Sequence, residues 1–207
     1  MTEIAETATP TDDSPKRQQI LDGARRMFLT KGFEAASMQD VAKSAGVSKG
    51  TLYVYFDSKE TMFEALVLCE CGRMQEIMRQ IGSGGGSVEE QLREIARQMV
   101  NRLLQSEVLS AMRMVIGTGE KFPDLARKVY EAGPMRSAHT LAGYLAQRVE
   151  RGDLRIEDCG AASAEFIDLV ISGQQRRALL MMPPMSSEDL ERYIDRRVAL
   201  FLTAYAA

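Results

Sequence analysis

The chain has 207 residues, 45% hydrophobic and 27% charged, which is the composition of an ordinary globular protein long enough to bury one large core or two small ones. Three cysteines and a single histidine are too few for a disulfide framework or a zinc site, and no run approaches the ~18 apolar residues of a membrane span. A net charge of −3 argues against a general nucleic-acid coat.

Residues 1–14 mix Thr, Ala, Asp, Glu and Pro without periodicity and are expected to stay disordered. Their acidic start, with no apolar core behind it, is not a secretory signal, so a cytoplasmic location is expected. A first helix is predicted over 15–30, with Pro15 in its first turn and Ile20, Leu21, Ala24, Met27 and Phe28 forming one apolar stripe. Arg17, Arg25 and Arg26 lie off that stripe. Gly32 can take the left-handed conformation that ends a helix, which lets Phe33 fold back onto the core.

Ser37 and Asp40 form a helix-start signal, an imperfect capping box with Asp in place of Glu. The helix that follows, 38–45, should bury Val41, Ala42 and Ala45. Gly46 stops it, Val47 plugs the turn, and Ser48 caps a short third helix over 49–56. Leu52 and Phe56 face the core, while Lys49, Gly50, Thr51, Tyr53, Val54 and Tyr55 stand on the opposite face. Asp57 and Ser58 cap a longer helix over 59–81. From Pro15 to Glu60 there are eight basic residues against five acidic, a local +3 inside an acidic protein.

The order of residues through this stretch (SMQDVAKSAGVSKGTLYVYFDSK, residues 37–59, then Glu60) resembles the N-terminal DNA-binding domain of the TetR/AcrR family of transcriptional regulators, and the resemblance covers residues 15–62. Tyr55 stands where many members carry histidine, and its hydroxyl also reaches a phosphate. The resemblance implies DNA contacts from Ser37, Gln39, Lys49, Gly50, Thr51, Tyr53, Tyr55 and Lys59. The chemistry agrees. An eight-residue helix spans ~12 Å, the width of a major groove. Lys49 can donate to guanine O6 or N7, Thr51 can meet a phosphate or a thymine methyl, and Gly50 lets the helix axis approach the base edges. Tyr53 and Tyr55 reach phosphates or pack half-buried; Lys59 is a backbone contact or a solvated lysine.

Beyond the fourth helix, residues 82–87 (GSGGGS) read as a flexible connector. Helical apolar spacing returns over 88–104 and 107–117, then over 123–150, which Gly133 and Pro134 should bend. Two further helices are predicted over 158–182 and 186–204, split by Pro183 and Pro184. No stretch alternates over strand length, so the fold class is all-α: a three-helix helix-turn-helix head joined to a larger helical domain. The division is a tail at 1–14, a DNA-binding domain at 15–60, and a ligand-binding and dimerisation domain at 61–207.

Thirteen methionines are many for this length and suit either adaptable pockets or gap-filling in a core. Family members usually bind a hydrophobic effector among the central helices, which makes Met99, Met112, Met135, His139 and Tyr144 the candidate ligand contacts. The stretch 120–127 (EKFPDLAR) is similar to the efflux-regulator branch of the family. Cys69 and Cys71, on the fourth helix, are open to a redox role. The resemblance also implies a homodimer through the last two helices, a double-stranded DNA operator as partner, and release by a small hydrophobic effector. The alternative is a ligand-binding or protein-interaction module whose head reads no specific DNA. No nucleophile–base spacing or Gly-rich loop after a strand suggests an enzyme, and no cofactor or metal is expected.

Overall fold

Ser14 opens the first helix: its side chain accepts the backbone N–H of Arg17, and Pro15 follows in the first turn, where its missing N–H costs nothing. In the computed structural model of the chain, residues 14–80 and 86–207 are described. The expected tail, apart from Ser14, and residues 82–85 of the expected connector lie outside them. The helices are α1 (Pro15–Lys31), α2 (Met38–Ala45), α3 (Lys49–Tyr55), α4 (Lys59–Arg79), α5 (Val88–Leu103), α6 (Ser106–Thr118), α7 (Pro123–Tyr130), α8 (Arg136–Glu150), α9 (Cys159–Leu179) and α10 (Ser187–Tyr205). Among the described residues there is no strand; an isolated antiparallel bridge joins Leu154 to Ala206. The all-α class follows directly.

The chain separates into two compact units, Met1–Val67 and Leu68–Ala207, and the division falls inside α4. In the first, Ile20, Leu21, Ala24 and Phe28 of α1 are buried with Val41, Ala42, Leu52, Phe56 and Met62. Phe28, Phe33 and Phe63 form an aromatic cluster with centroids 5.0–5.8 Å apart, so Phe33 does fold back after Gly32, whose φ is +80°.

In the second unit α5, α8, α9 and α10 pack around a core that includes Leu92, Met99, Leu141, Tyr144, Phe166, Val170, Ile194 and Phe201. Phe166 and Phe201 meet edge to face at 5.0 Å. Arg93 and Arg97 of α5 pair with Asp195 and Glu191 of α10 at the partly exposed edge, where such bridges add little stability. The expected bend takes a defined form: Glu131–Met135 is a π-helical turn between α7 and α8. Pro134 has no N–H to continue an α-helical ladder, and its ring would crowd the carbonyl four residues back; the wider turn removes both conflicts.

Candidate nucleic-acid interface

The head is held from inside the turn. The last four carbonyls of a helix have no intrahelical partner, and in α2 each finds one. Val47 N–H donates to Ala42 O at 3.0 Å and Gly46 N–H to Lys43 O at 3.2 Å. Arg26 of α1 donates to Ser44 O at 2.5 Å, and Gln19 donates to Ala45 O at 2.7 Å. Gly46 takes the left-handed conformation, φ +65°, that this termination needs. Between Gln19 and Arg26, on the same face of α1, lies Gly23. A Cβ there would stand 2.6 Å from Ala45 Cβ and 2.7 Å from its Cα and N. Gly23 therefore sets how closely α1 and α2 approach.

At its other end α2 has a complete capping box. Asp40 N–H donates to Ser37 Oγ and Ser37 N–H to Asp40 Oδ2, both at 3.1 Å, so aspartate closes the box that glutamate usually does. Hydrogen bonds from Lys31, at 2.7 Å, and then from Ser37 pull the Asp40 carboxyl down to about 2. The hydroxyl of Ser37 already donates to Asp40 Oδ2 at 2.7 Å, so a phosphate contact from Ser37 has to displace that carboxylate.

α3 is capped by Ser48, whose Oγ accepts Thr51 N–H at 3.0 Å and lies 2.8 Å from Thr51 Oγ1. Leu52 is its buried anchor. The outward face carries Lys49, Gly50, Tyr53 (44% exposed) and Val54 (64% exposed), with Thr51 and Tyr55 half-buried at its margins. The Lys49 ammonium lies 5.8 Å from the Tyr53 ring centre. A Cβ on Gly50 would meet nothing closer than Ser48 Oγ at 3.8 Å, so packing does not require glycine there. Gln39 is exposed on α2. Lys59 is not simply solvated: its ammonium donates to the carbonyls of Phe33 and Glu34, each at 3.0 Å, above the Phe33 ring. Two of its three donors thus brace the loop between α1 and α2.

Two cavities lie among the described residues of the second unit. One, about 420 Å³, lies between one face of α4 (Leu68, Cys71, Gly72, Gln75) and the π turn with the start of α8 (Ala132, Arg136, Thr140). The other, about 440 Å³, is more apolar and lies where α6 meets the end of α9, lined among others by Leu109, Met181, Met182 and Met185.

Two family models match. The model of bacterial regulatory proteins of the tetR family matches residues 20–66. The model of the C-terminal domain of AefR-like transcriptional repressors matches 90–207, more than half of the chain. The chain belongs to the TetR family of transcriptional regulators. Among curated relatives, the HTH-type transcriptional repressor AcnR of Corynebacterium diphtheriae is 38% identical over 72 residues, 35% of this chain and 38% of AcnR. The HTH-type transcriptional regulator UidR of Escherichia coli K12 is 45% identical over 58 residues, 28% of this chain and 30% of UidR. The matched part thus spans only about a third of these curated relatives. Likeness to solved structures runs through both units. A TetR-family regulator from Mesorhizobium loti superposes with a TM-score of 0.87 at 28% identity, covering 93% of this chain and 97% of the other. The flavonoid-responsive regulator FrrA superposes at 0.77 with 32% identity, covering 92% and 97%. These relatives are regulators, not enzymes.

Within this TetR-family chain the residues picked for DNA gather in one unit, whereas those picked for a ligand scatter. Met99, 1% exposed, and Tyr144, 6% exposed, belong to the core of the second unit, and the Tyr144 hydroxyl donates to Gln91 at 2.8 Å. Met112 is half-buried on α6; Met135 and His139 are exposed. None of the five lines either cavity. Sequence reasoning missed Gln19, Gly23 and Arg26 as the clasp on α2. A signal was available, because positions 19, 23 and 26 share a helical face, and a glycine there in a helix interior needs a reason. Val54, exposed on the outer face of α3, was not among the residues picked for DNA. Cys71 lies against the first cavity with its thiol pushed up by burial, which opposes thiolate chemistry.

Proposed function

We propose that this protein is a homodimeric, ligand-responsive repressor that reads an operator with α3 and leaves it when a small, largely apolar effector enters the second unit. The observation that carries the reading is the outward face of α3: Lys49, Gly50, Tyr53 and Val54 are exposed on a short helix whose predecessor is fixed at both ends. Lys49 is the base-reading cation, Val54 and Thr51 meet thymine methyls or phosphate, and Gly50 admits the helix axis. Tyr53 and Tyr55 hold the backbone. Gln39 and Ser37 approach it from α2, and Lys59 has one donor left for a phosphate while bracing the loop.

Dimerisation is assigned to α9 and α10, where Ala164, Asp168, Ser172, Arg196, Ala199 and Thr203 are exposed beside Leu200, itself 57% exposed. One such head reads few base pairs, so specific binding calls for two. The effector cavity is assigned to the space against α4. That helix starts at Lys59 in the first unit and continues past Leu68 in the second, so a ligand pressing on it acts on an element that both units share. FrrA is named for its response to flavonoids, which makes planar phenolic compounds the first class to try.

The test is selection of bound sequences from a random DNA pool by the wild type and by Lys49→Ala. The wild type is expected to enrich a two-fold-symmetric site. Lys49→Ala is expected to lose preference at one position per half-site, by ~1–3 kcal/mol. Enrichment of no sequence would move the chain to the other reading, a ligand or protein-interaction module.

A further inference from the structure

The cavity between α4 and α8 has a chemical character of its own. Leu68, Cys71, Gly72 and Gln75 fall on one face of α4, and Ala132, Arg136 and Thr140 on one face of the opposing segment. The space is bracketed by two close contacts. Gly133 approaches the Cys71 sulfur, which would lie 3.1 Å from a Cβ on that glycine. Gln75 donates its amide N–H to Ser137 Oγ at 3.1 Å in a buried position. Gly72 is exposed and lines the opening without a side chain: a Cβ there meets nothing within 4 Å. A glycine inside a long helix costs ~1 kcal/mol of helix propensity, and neither a positive φ nor a close neighbour requires this one. What its absent side chain provides is a flat patch of backbone, flanked by Leu68 and Ala132.

The charge is equally one-sided. Arg136 is the charged lining residue, no carboxylate lines the cavity, and Arg136 forms no salt bridge among the described residues. Burial keeps the Cys71 thiol neutral, so it adds no negative charge. A guanidinium with its five donors uncommitted is suited to a planar anion, which it can grip at two points.

Taken with the open backbone at Gly72, the geometry points to an effector with a flat apolar body and one carboxylate, an aromatic acid held over Gly72 with its carboxylate on Arg136. This rests on the proposed ligand-responsive reading and names the ligand class for its α4 cavity.

The test is calorimetric titration of the full chain with 4-hydroxycinnamate and, separately, with its neutral amide, alongside release of bound operator DNA. The wild type is expected to bind the acid about ten-fold or more tightly than the amide, as a charged hydrogen-bonded contact gives. Arg136→Gln should bring the two to within about two-fold, while Arg136→Lys keeps part of the preference. Gly72→Leu should abolish binding of both without unfolding the protein, since its first side-chain atom meets open space. Equal binding of acid and amide, an acid preference that survives Arg136→Gln, or no acid binding at millimolar concentration each overturns the assignment. Acid bound at Arg136 without operator release sinks the ligand-responsive reading and leaves the site standing. Operator release by a neutral compound, unaltered in Arg136→Gln, does the reverse.

Discussion

Gly50 separates stability from function at a single atom. It sits in α3 with ordinary φ and open space for a methyl group, so Gly50→Ala should stabilise the head by ~1 kcal/mol through helix propensity alone. The same methyl would stand on the outward face, where it holds the helix off the base edges. Denaturant unfolding and operator binding measured on one preparation should therefore move in opposite directions. A variant that gains stability and keeps full affinity would remove Gly50 from the DNA-reading set. Tyr53→Ala should weaken binding to every sequence alike, by contrast with the single-position effect of Lys49→Ala. Asp40 gives a pH signature. Its carboxyl is held at about 2 in the fold against 3.8 ordinarily, so its contribution is full above about pH 4 and is lost as pH falls toward 2. Asp40→Asn should flatten the acid limb of the stability curve in that window; an unchanged limb would mean that the capping box does not couple to folding.

At the scale of elements, the clasp on α2 and the turn after α9 make opposite predictions. Gly23→Ala forces a methyl into Ala45, and overpacking of that kind costs ~1–3 kcal/mol. Because Ala45 backbone atoms lie as close as its Cβ, adding Ala45→Gly should not restore stability; full rescue in thermal melts would show that the backbones are free to separate. Met181 takes φ +59° just beyond the end of α9, a conformation that costs a side-chain-bearing residue ~1–2 kcal/mol. Met181→Gly should recover about 1 kcal/mol of that strain in denaturant melts. Helix positions were legible wherever chemistry is local: Ser37, Ser48 and Ser186 announce starts, and Gly32 and Gly46 announce stops. The segment around Pro134 was legible as a bend but not as a π turn, because which irregular form a proline imposes depends on what packs against it, here Cys71.

On the scale of the whole molecule, the helix-turn-helix stretch that carries the residues proposed for DNA was legible because it lies within 23 consecutive residues, from the cap of α2 through α3 to the first residue of α4. The cavity was not. Leu68 and Gly72 meet Arg136 and Thr140 only through tertiary packing of segments more than 60 residues apart, and local periodicity carries no trace of that. The core positions of Met99 and Tyr144 were hidden for the same reason. Met99 fills a core to which α4, α8, α9 and α10 contribute alongside its own helix, and the partner that satisfies the Tyr144 hydroxyl, Gln91, belongs to α5. The most direct measurement is a footprint of the full chain on DNA upstream of its own gene, at stated salt. Two short protected tracts on one face of the duplex, ~34 Å apart centre to centre, are expected of paired heads that each place one α3 in a major groove. A single tract, uniform coating or no protection would contradict a paired, sequence-reading repressor.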